Sequence, residues 1–348
     1  MKTRIVDMTE QIGARELEEA GEILRKGGLV AFPTETVYGL GADALNEKAA
    51  ARIYAAKGRP SDNPLIVHIA RFEDLSEIAK NIPEMAKKLA DAFWPGPLTM
   101  IFKKKECVPT GTTGGLDTVA VRMPDHKLAR ALILSGGGYI AAPSANTSGR
   151  PSPTTAAHVK EDLEGKIDMI LDGGPVRIGL ESTIVDLSGG KPVILRPGYI
   201  NQEMLSRVIG HVQIDRALIE ADSQIRPKAP GMKYRHYAPR ASMSVVEGPR
   251  ERVVEKIQQL LKKGAADGEK IGVICSRETA DSYQSGIVKT VGSLEDELSI
   301  AHNLYGILRE FDEMEVDRIY SEAFDTPKMG QAIMNRLMKA AGHQMIKV

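Results

Sequence analysis

At 348 residues the chain is too long for one ordinary hydrophobic core, so two domains are expected. Its hydrophobic content of 42% is that of a globular protein and excludes a disordered chain. Basic and acidic residues balance at 46 each, which excludes bulk electrostatic binding of nucleic acid and leaves open only a local basic cleft.

In chain order, Arg15–Lys26 carries apolar and small residues at helical spacing and stops at Gly27-Gly28, so it reads as a helix. Leu29–Phe32 is a short apolar run closed by Pro33, a strand; the stretch TETVYGLG after it reads as a polar turn. Asn46 caps an expected helix over Glu47–Ala56, Leu65–Ile69 is a strand, and Glu84–Phe93 is a helix stopped by Pro95-Gly96-Pro97. Further strands are expected at Leu98–Phe102, Thr118–Arg122, Tyr139–Ala142, Met169–Leu171, Thr183–Leu187 and Val193–Leu195, with helices at Lys127–Leu134 and Thr155–Leu163. Strands without strict alternation with helices indicate a mixed sheet. Beyond Gln202–Ile209, residues His211–Arg240 show no sustained period and read as a linker that includes IRPKAPGMKYRHYAPR. A regular rhythm follows: strand Ser242–Val246, helix Glu251–Lys263, strands Ile271–Cys275 and Ile287–Val291, helix Leu294–Met314, strand Arg318–Tyr320, helix Ala332–Ala341. That rhythm predicts a smaller, Rossmann-like parallel domain, whose first turn, VVEGPRERV, lacks the GxGxxG of a dinucleotide site. The domain expectation is thus residues 1–210, a linker at 211–240, and 241–348.

The two cysteines, Cys107 and Cys275, lie 168 positions apart with no Cys/His ligand spacing, so neither a zinc site nor a disulfide framework is expected and a reducing, cytoplasmic setting is. Met1–Glu10 is mixed and charged, unlike a signal peptide, and no apolar run approaches the roughly 20 residues that span a bilayer. No membrane role is expected.

Three loops at strand ends hold the informative polar residues. In the first, PTETVYGLG, Thr34, Thr36 and Tyr38 emerge just after a strand; they either meet a ligand or cap a well-made turn. In the second, KGRPSDNP, Lys57 and Arg59 flank Gly58 at a helix end. They either complement the helix dipole or clamp a polyphosphate, lysine as a point charge and arginine as a planar fork. Gly39, Gly41 and Gly58 are expected to let backbone approach a ligand closely. His68 on the next strand reads as structural or as a neutral hydrogen-bonding imidazole. The third loop, AAPSANTSGRPS, can give many hydrogen bonds without charge. Arg122 ends the strand TVAVR and suits a carboxylate; Ser182 and Arg196 repeat the pattern of polar groups at strand ends. The chain has no GxxxxGK[ST], HExxH or GxSxG motif.

Together, PTETVYGLG, KGRP with NPLIVHI, WPGPLT, GLDTVAVRMP, APSAN with RPSPT, LDGG, ESTIVD and LRPG, in this order, resemble the YrdC-like threonylcarbamoyl-AMP synthases. PGMKYRHYAP and AIMNRLMKAAG are similar to the long, two-domain form. The resemblance implies a twisted mixed sheet around a concave basic cavity. It implies an enzyme that condenses L-threonine, bicarbonate and ATP into threonylcarbamoyl-AMP and pyrophosphate, which a downstream transferase uses to modify tRNA. The family's KxR…SxN tetrad falls on Lys57, Arg59, Ser144 and Asn146, the implied catalytic set. Asn63, Thr118, Ser152, Arg196 and Tyr234 would join it on ATP; Thr34, Thr36, His68, Arg122, Ala142 and Ser182 would hold threonine. Mg²⁺ would come on the ATP phosphates rather than on protein ligands. The linker, with Tyr234, His236 and Tyr237, is the implied lid. Two rivals fare worse. An RNA-binding module lacks net charge and any RNP- or KH-type pattern, leaving weak RNA binding as a secondary expectation. A hydrogenase-maturation carbamoyl transferase would need zinc fingers, which two cysteines cannot build.

Overall fold

A computed structural model describes residues 2–215 and 237–348. They form two compact units. One holds the described residues up to Ser148, Ser152–Arg177 and those from Glu181 to 215; the other holds Gly149–Pro151, Ile178–Leu180 and the residues from 237 onward.

The first unit runs β1 (Arg4–Asp7), α1 (Ala14–Arg25), β2 (Val30–Phe32), β3 (Gly39–Asp43), α2 (Glu47–Lys57), β4 (Ile66–His68), α3 (Leu75–Ile78), β5 (Ala79–Lys80), α4 (Glu84–Phe93), β6 (Leu98–Lys104), β7 (Thr118–Arg122), α5 (Lys127–Ser135), β8 (Ile140–Ala141), α6 (Ala156–Leu163), β9 (Met169–Asp172), β10 (Thr183–Asp186), β11 (Val193–Arg196), α7 (Gln202–Ile209) and β12 (Gln213–Ile214). Its strands make a 12-stranded sheet in the order β1-β9-β2-β3-β8-β4-β7-β6-β10-β11-β12, with β5 on β6. Pairings are mixed: β4 lies parallel to β7 and β6 to β10, while β6 and β7 are antiparallel. The mixed sheet is the one expected.

Alternation along the strands decides what each sheet face does. Val67, Met100, Phe102, Val119, Val121 and Val185 point into the large core with Ile53, Leu65 and Leu89. The residues between them, Ile66, Ile101, Ala120 and Ile184, form a separate small apolar cluster on the opposite face. His68, Thr99 and Arg122 share that second face, because each stands two positions from a member of the cluster.

The helices end as their sequences dictate. Asn46 caps α2, its side chain accepting from the amides of Lys48 and Ala49 at 3.1 and 3.3 Å. Gly58 closes α2 at φ 61°, a left-handed position that favours glycine. The TETVYGLG stretch is not all turn: Gly39–Asp43 pairs with both β2 and β8. Gly41 is needed there because a Cβ would stand 2.9 Å from both Phe32 and Ile140. The close approach expected for a ligand at Gly39 and Gly41 is therefore to the protein's own side chains, and at Gly58 it is a helix cap.

The second unit contains β13 (Ser242–Glu247), α8 (Arg250–Ala266), β14 (Ile271–Ser276), β15 (Ile287–Gly292), α9 (Glu297–Glu313), β16 (Arg318–Glu322), α10 (Gly330–Ala340) and β17 (Met345–Lys347). Its five strands are all parallel, in the order β15-β14-β16-β13-β17. The expected Rossmann-like parallel sheet is present, with β17 an additional strand too short to announce itself. Tyr237 is buried against Tyr305 of α9, ring centroids 5.1 Å apart. Residues 216–236, which carry Tyr234, His236 and most of the expected lid, lie outside the described residues. No helix of the described residues is long and apolar enough to cross a membrane.

Candidate active site

Strand register assembles the site. His68 on β4 pairs with Arg122 on β7, Arg122 with Thr99 on β6, Thr99 with Ile184 on β10, and Ile184 with Arg196 on β11. Residues paired across strands project to the same face. Chain positions 68, 122 and 99 thus become one row beside the small apolar cluster, to which Ile184 belongs; the register shifts after Ile184, and Arg196 reaches the row through its side chain. Ser182 joins it just before β10: its hydroxyl lies 2.8 Å from that of Thr99 and accepts from Arg196 Nη2 at 3.2 Å, while Arg196 Nε donates to Ser182 O at 3.0 Å.

The PTETV loop supplies one wall. Thr34 Oγ1 lies 2.8 Å from Thr36 Oγ1, donates to Val37 O at 2.7 Å, and accepts from the amide of Thr36 at 3.1 Å. Both hydroxyls thus take part in locking the turn. Between them, Glu35 turns its buried carboxylate to Arg122, whose Nη2 lies 2.7 Å from Glu35 Oε2. Arg122 Nε donates to Gly96 O at 3.3 Å.

His68 is buried, with Nδ1 3.1 Å from Ile66 O and its ring edge-on to Phe32 at 6.2 Å. Burial, and secondarily the Arg122 charge, push its pKa down from 6.5 to about 3. It is therefore a neutral imidazole at physiological pH. Between pH 6.5 and 3 the unfolded chain holds a proton at this residue that the folded protein does not, so this group's contribution to stability falls as pH is lowered through that window. Thermal midpoints measured from pH 7 to pH 4 should drop, and His68→Gln should flatten part of that slope. An unchanged slope in the variant would show that His68 is not the proton-excluding group.

The second and third loops meet at Lys57. This residue is the last of α2 rather than a loop residue, and it is 1% exposed. Its ammonium donates to the carbonyls of Ser144 and Asn146, with Asn146 Oδ1 at 3.4 Å. Ser144 Oγ donates to Asn146 Oδ1 at 2.5 Å, and Ser148 N to Lys57 O at 2.8 Å. The loop is also stitched to the first wall, since Leu40 N donates to Pro143 O at 2.9 Å and Ala145 N to Tyr38 O at 2.8 Å. Ala142 is held by its amide on Ile66 O at 2.8 Å. Lys57, Ser144 and Asn146 are thus one cluster.

Arg59 donates to Asn63 O at 3.4 Å and to Pro64 O at 3.2 Å. Asn63 is buried, and its Oδ1 has no hydrogen-bond partner among the described residues. Ser152 donates to Glu181. Thr118 starts the strand that Arg122 ends, roughly 13 Å away by strand rise, although alternation puts both on the same face. Reading by residue type passed over Glu35, Thr99 and Glu181. Each lies in a motif quoted above (PTETV, WPGPLT, ESTIVD), but only pairing partners far along the chain mark them. Among the described residues no group of three or more His, Cys, Asp or Glu side chains is placed to hold a metal ion.

The twisted mixed sheet followed by a parallel α/β domain is the fold of a YrdC-like domain joined to a second, smaller domain. Residues 22–198 match the family model described as Telomere recombination, and residues 200–342 match the model described as Threonylcarbamoyl-AMP synthase, C-terminal domain. The chain is 53% identical over 346 residues to the threonylcarbamoyl-AMP synthase of Pyrococcus abyssi, covering 99% of this chain and 100% of that one. It is 48% identical over 352 residues to the enzyme of that name from Bacillus subtilis, covering 100% of both. A crystal structure of P. abyssi Sua5 complexed with L-threonine superposes with a TM-score of 0.95 at 52% identity, over 99% of this chain and 100% of that one. The chain belongs to the threonylcarbamoyl-AMP synthase family, in its two-domain form.

Proposed function

We propose that this protein is a nucleotidyltransferase that makes threonylcarbamoyl-AMP from L-threonine, bicarbonate and ATP, for use in tRNA modification. Full-length similarity to curated synthases supports it, and the observation that supports the residue assignment is the pairing of His68 with Arg122 and of Arg122 with Thr99, with Ser182 and Arg196 hydrogen-bonded to that row. Arg122 would take the threonine carboxylate. His68, as a neutral imidazole, and Ser182 would read the hydroxyl, and Ala142 would contribute backbone beside them. Thr34 and Thr36, already bonded to one another, would shape the wall.

Lys57, Ser144 and Asn146 would face the phosphates. Chemistry at the α-phosphorus needs positioning and charge stabilisation rather than a covalent nucleophile. A carbamate oxygen of the substrate would attack that phosphorus, with pyrophosphate leaving. Magnesium would enter as part of MgATP, and Arg59, Asn63, Thr118, Ser152, Arg196 and Tyr234 would complete the nucleotide contacts. A tRNA-modifying transferase would consume the product in the cytoplasm.

The direct experiment is to incubate the protein with ATP, Mg²⁺, bicarbonate and each amino acid in turn, and to follow the carbamoyl-adenylate by mass spectrometry. Threonine should be favoured over valine, in which a methyl replaces the hydroxyl, by ~10²-fold or more, because a buried site built for a hydroxyl leaves polar groups unpaired without it. Comparable adenylate formation from valine would exclude a hydroxyl-reading site.

A further inference from the structure

We propose that Glu35 binds the α-ammonium group of the amino-acid substrate, so that Glu35 and Arg122 together read the zwitterion. This rests on the assignment of threonine to the Arg122 site. Glu35 is 3% exposed, and neither of its carboxylate oxygens has a hydrogen-bond partner among the described residues. Arg122 Nη2 is close to Oε2 at 2.7 Å but is not aligned for a hydrogen bond, and it too has no hydrogen-bond partner. Buried charges normally have their hydrogen-bonding capacity filled. Here a donor site and an acceptor site of opposite charge stand side by side, both unfilled.

An α-amino acid supplies the complement. Its carboxylate and ammonium sit on one carbon, so one zwitterion can meet both groups while the buried charge stays balanced. A carboxylic acid lacking the amine would leave one negative charge unmatched beside Glu35. The loop is suited to the task, because the Thr34–Thr36 and Thr34–Val37 bonds on either side of Glu35 hold it in place before any ligand arrives.

A simpler role for Glu35 would be to neutralise Arg122, and the two roles separate in ligand preference. The full-length protein and Glu35→Gln are titrated calorimetrically with L-threonine, with β-hydroxybutyrate (threonine without its amine), and with ATP as a check on folding. Loss of a hydrogen bond between charged groups should lower the preference for threonine over β-hydroxybutyrate by about 10- to 100-fold while ATP affinity holds. A preference that does not fall overturns the proposal, since mere neutralisation of Arg122 acts on both carboxylates alike. Wild-type protein that binds no threonine overturns the substrate assignment instead. Should Glu35→Gln fail to fold, Glu35→Asp is read in its place. There threonine should weaken several-fold with β-hydroxybutyrate unchanged, and equal weakening of both ligands overturns the role.

Discussion

Lys57→Ala is expected to lower turnover by at least ~10²-fold, the scale lost with one preorganised electrostatic group. The ammonium lies at the meeting point of the end of α2 and the 144–148 loop, donating to two loop carbonyls. That position gives the variant a second phenotype. Removing the donor leaves the Ser144 and Asn146 carbonyls short of a buried partner, at about 1–3 kcal/mol for each one left unsatisfied. The thermal midpoint should therefore fall by several degrees, whereas a lysine on a free loop would leave it unchanged. Lys57→Met separates the two effects, because it restores much of the buried stem without the charge. Pyrophosphate release by Lys57→Met, measured below its unfolding transition, should stay at least ~10²-fold down. Wild-type turnover in that variant would remove Lys57 from the chemistry and leave it a structural strut.

The second large effect is at Arg122. Arg122→Lys keeps a positive charge but loses the planar fork that can hold a carboxylate with two donors. The expected result is a KM for threonine raised ~10²-fold with the KM for ATP little changed, and an unaltered threonine KM would refute the assignment. Arg122→Ala is a harsher change, since Glu35 would then be a buried charge without its ion-pair partner, at a cost of about 3–5 kcal/mol. The double variant Glu35→Gln/Arg122→Met removes both charges together. It should unfold at a higher temperature than Arg122→Ala, yet bind no threonine. If both variants were equally unstable, the Glu35–Arg122 pair would not be the source of the loss.

Much of the fold was legible in the sequence because its signals are local. Helix α4 spans Glu84–Phe93 and strand β7 spans Thr118–Arg122, both as read from periodicity and flanking breakers. The Asn46 cap needs only its immediate neighbours. The mixed sheet followed by a parallel domain came from the order of elements, and the ordered motifs that carry the family resemblance are contiguous words. What escaped was short or polar: β3 inside a glycine-rich stretch, and β1, β5, β12 and β17, which carry too few apolar residues to show a period.

The site divides in the same way. Residue type and position at element ends drew notice to Lys57, Arg122 and Arg196, and the family resemblance to Ser144 and Asn146. Only tertiary structure shows that Lys57 is buried as a tie between two loops, that Thr118 stands at the far end of Arg122's strand, and that Thr34 and Thr36 spend their hydroxyls on each other. It alone brings Glu35 to Arg122, 87 positions on, and Thr99 to Ser182, 83 positions on. The reason is physical. Helix caps and periods are set within a turn or two of chain, while strand register is set by partners anywhere in the sequence, and a slip of one residue would send every side chain of a strand to the opposite face.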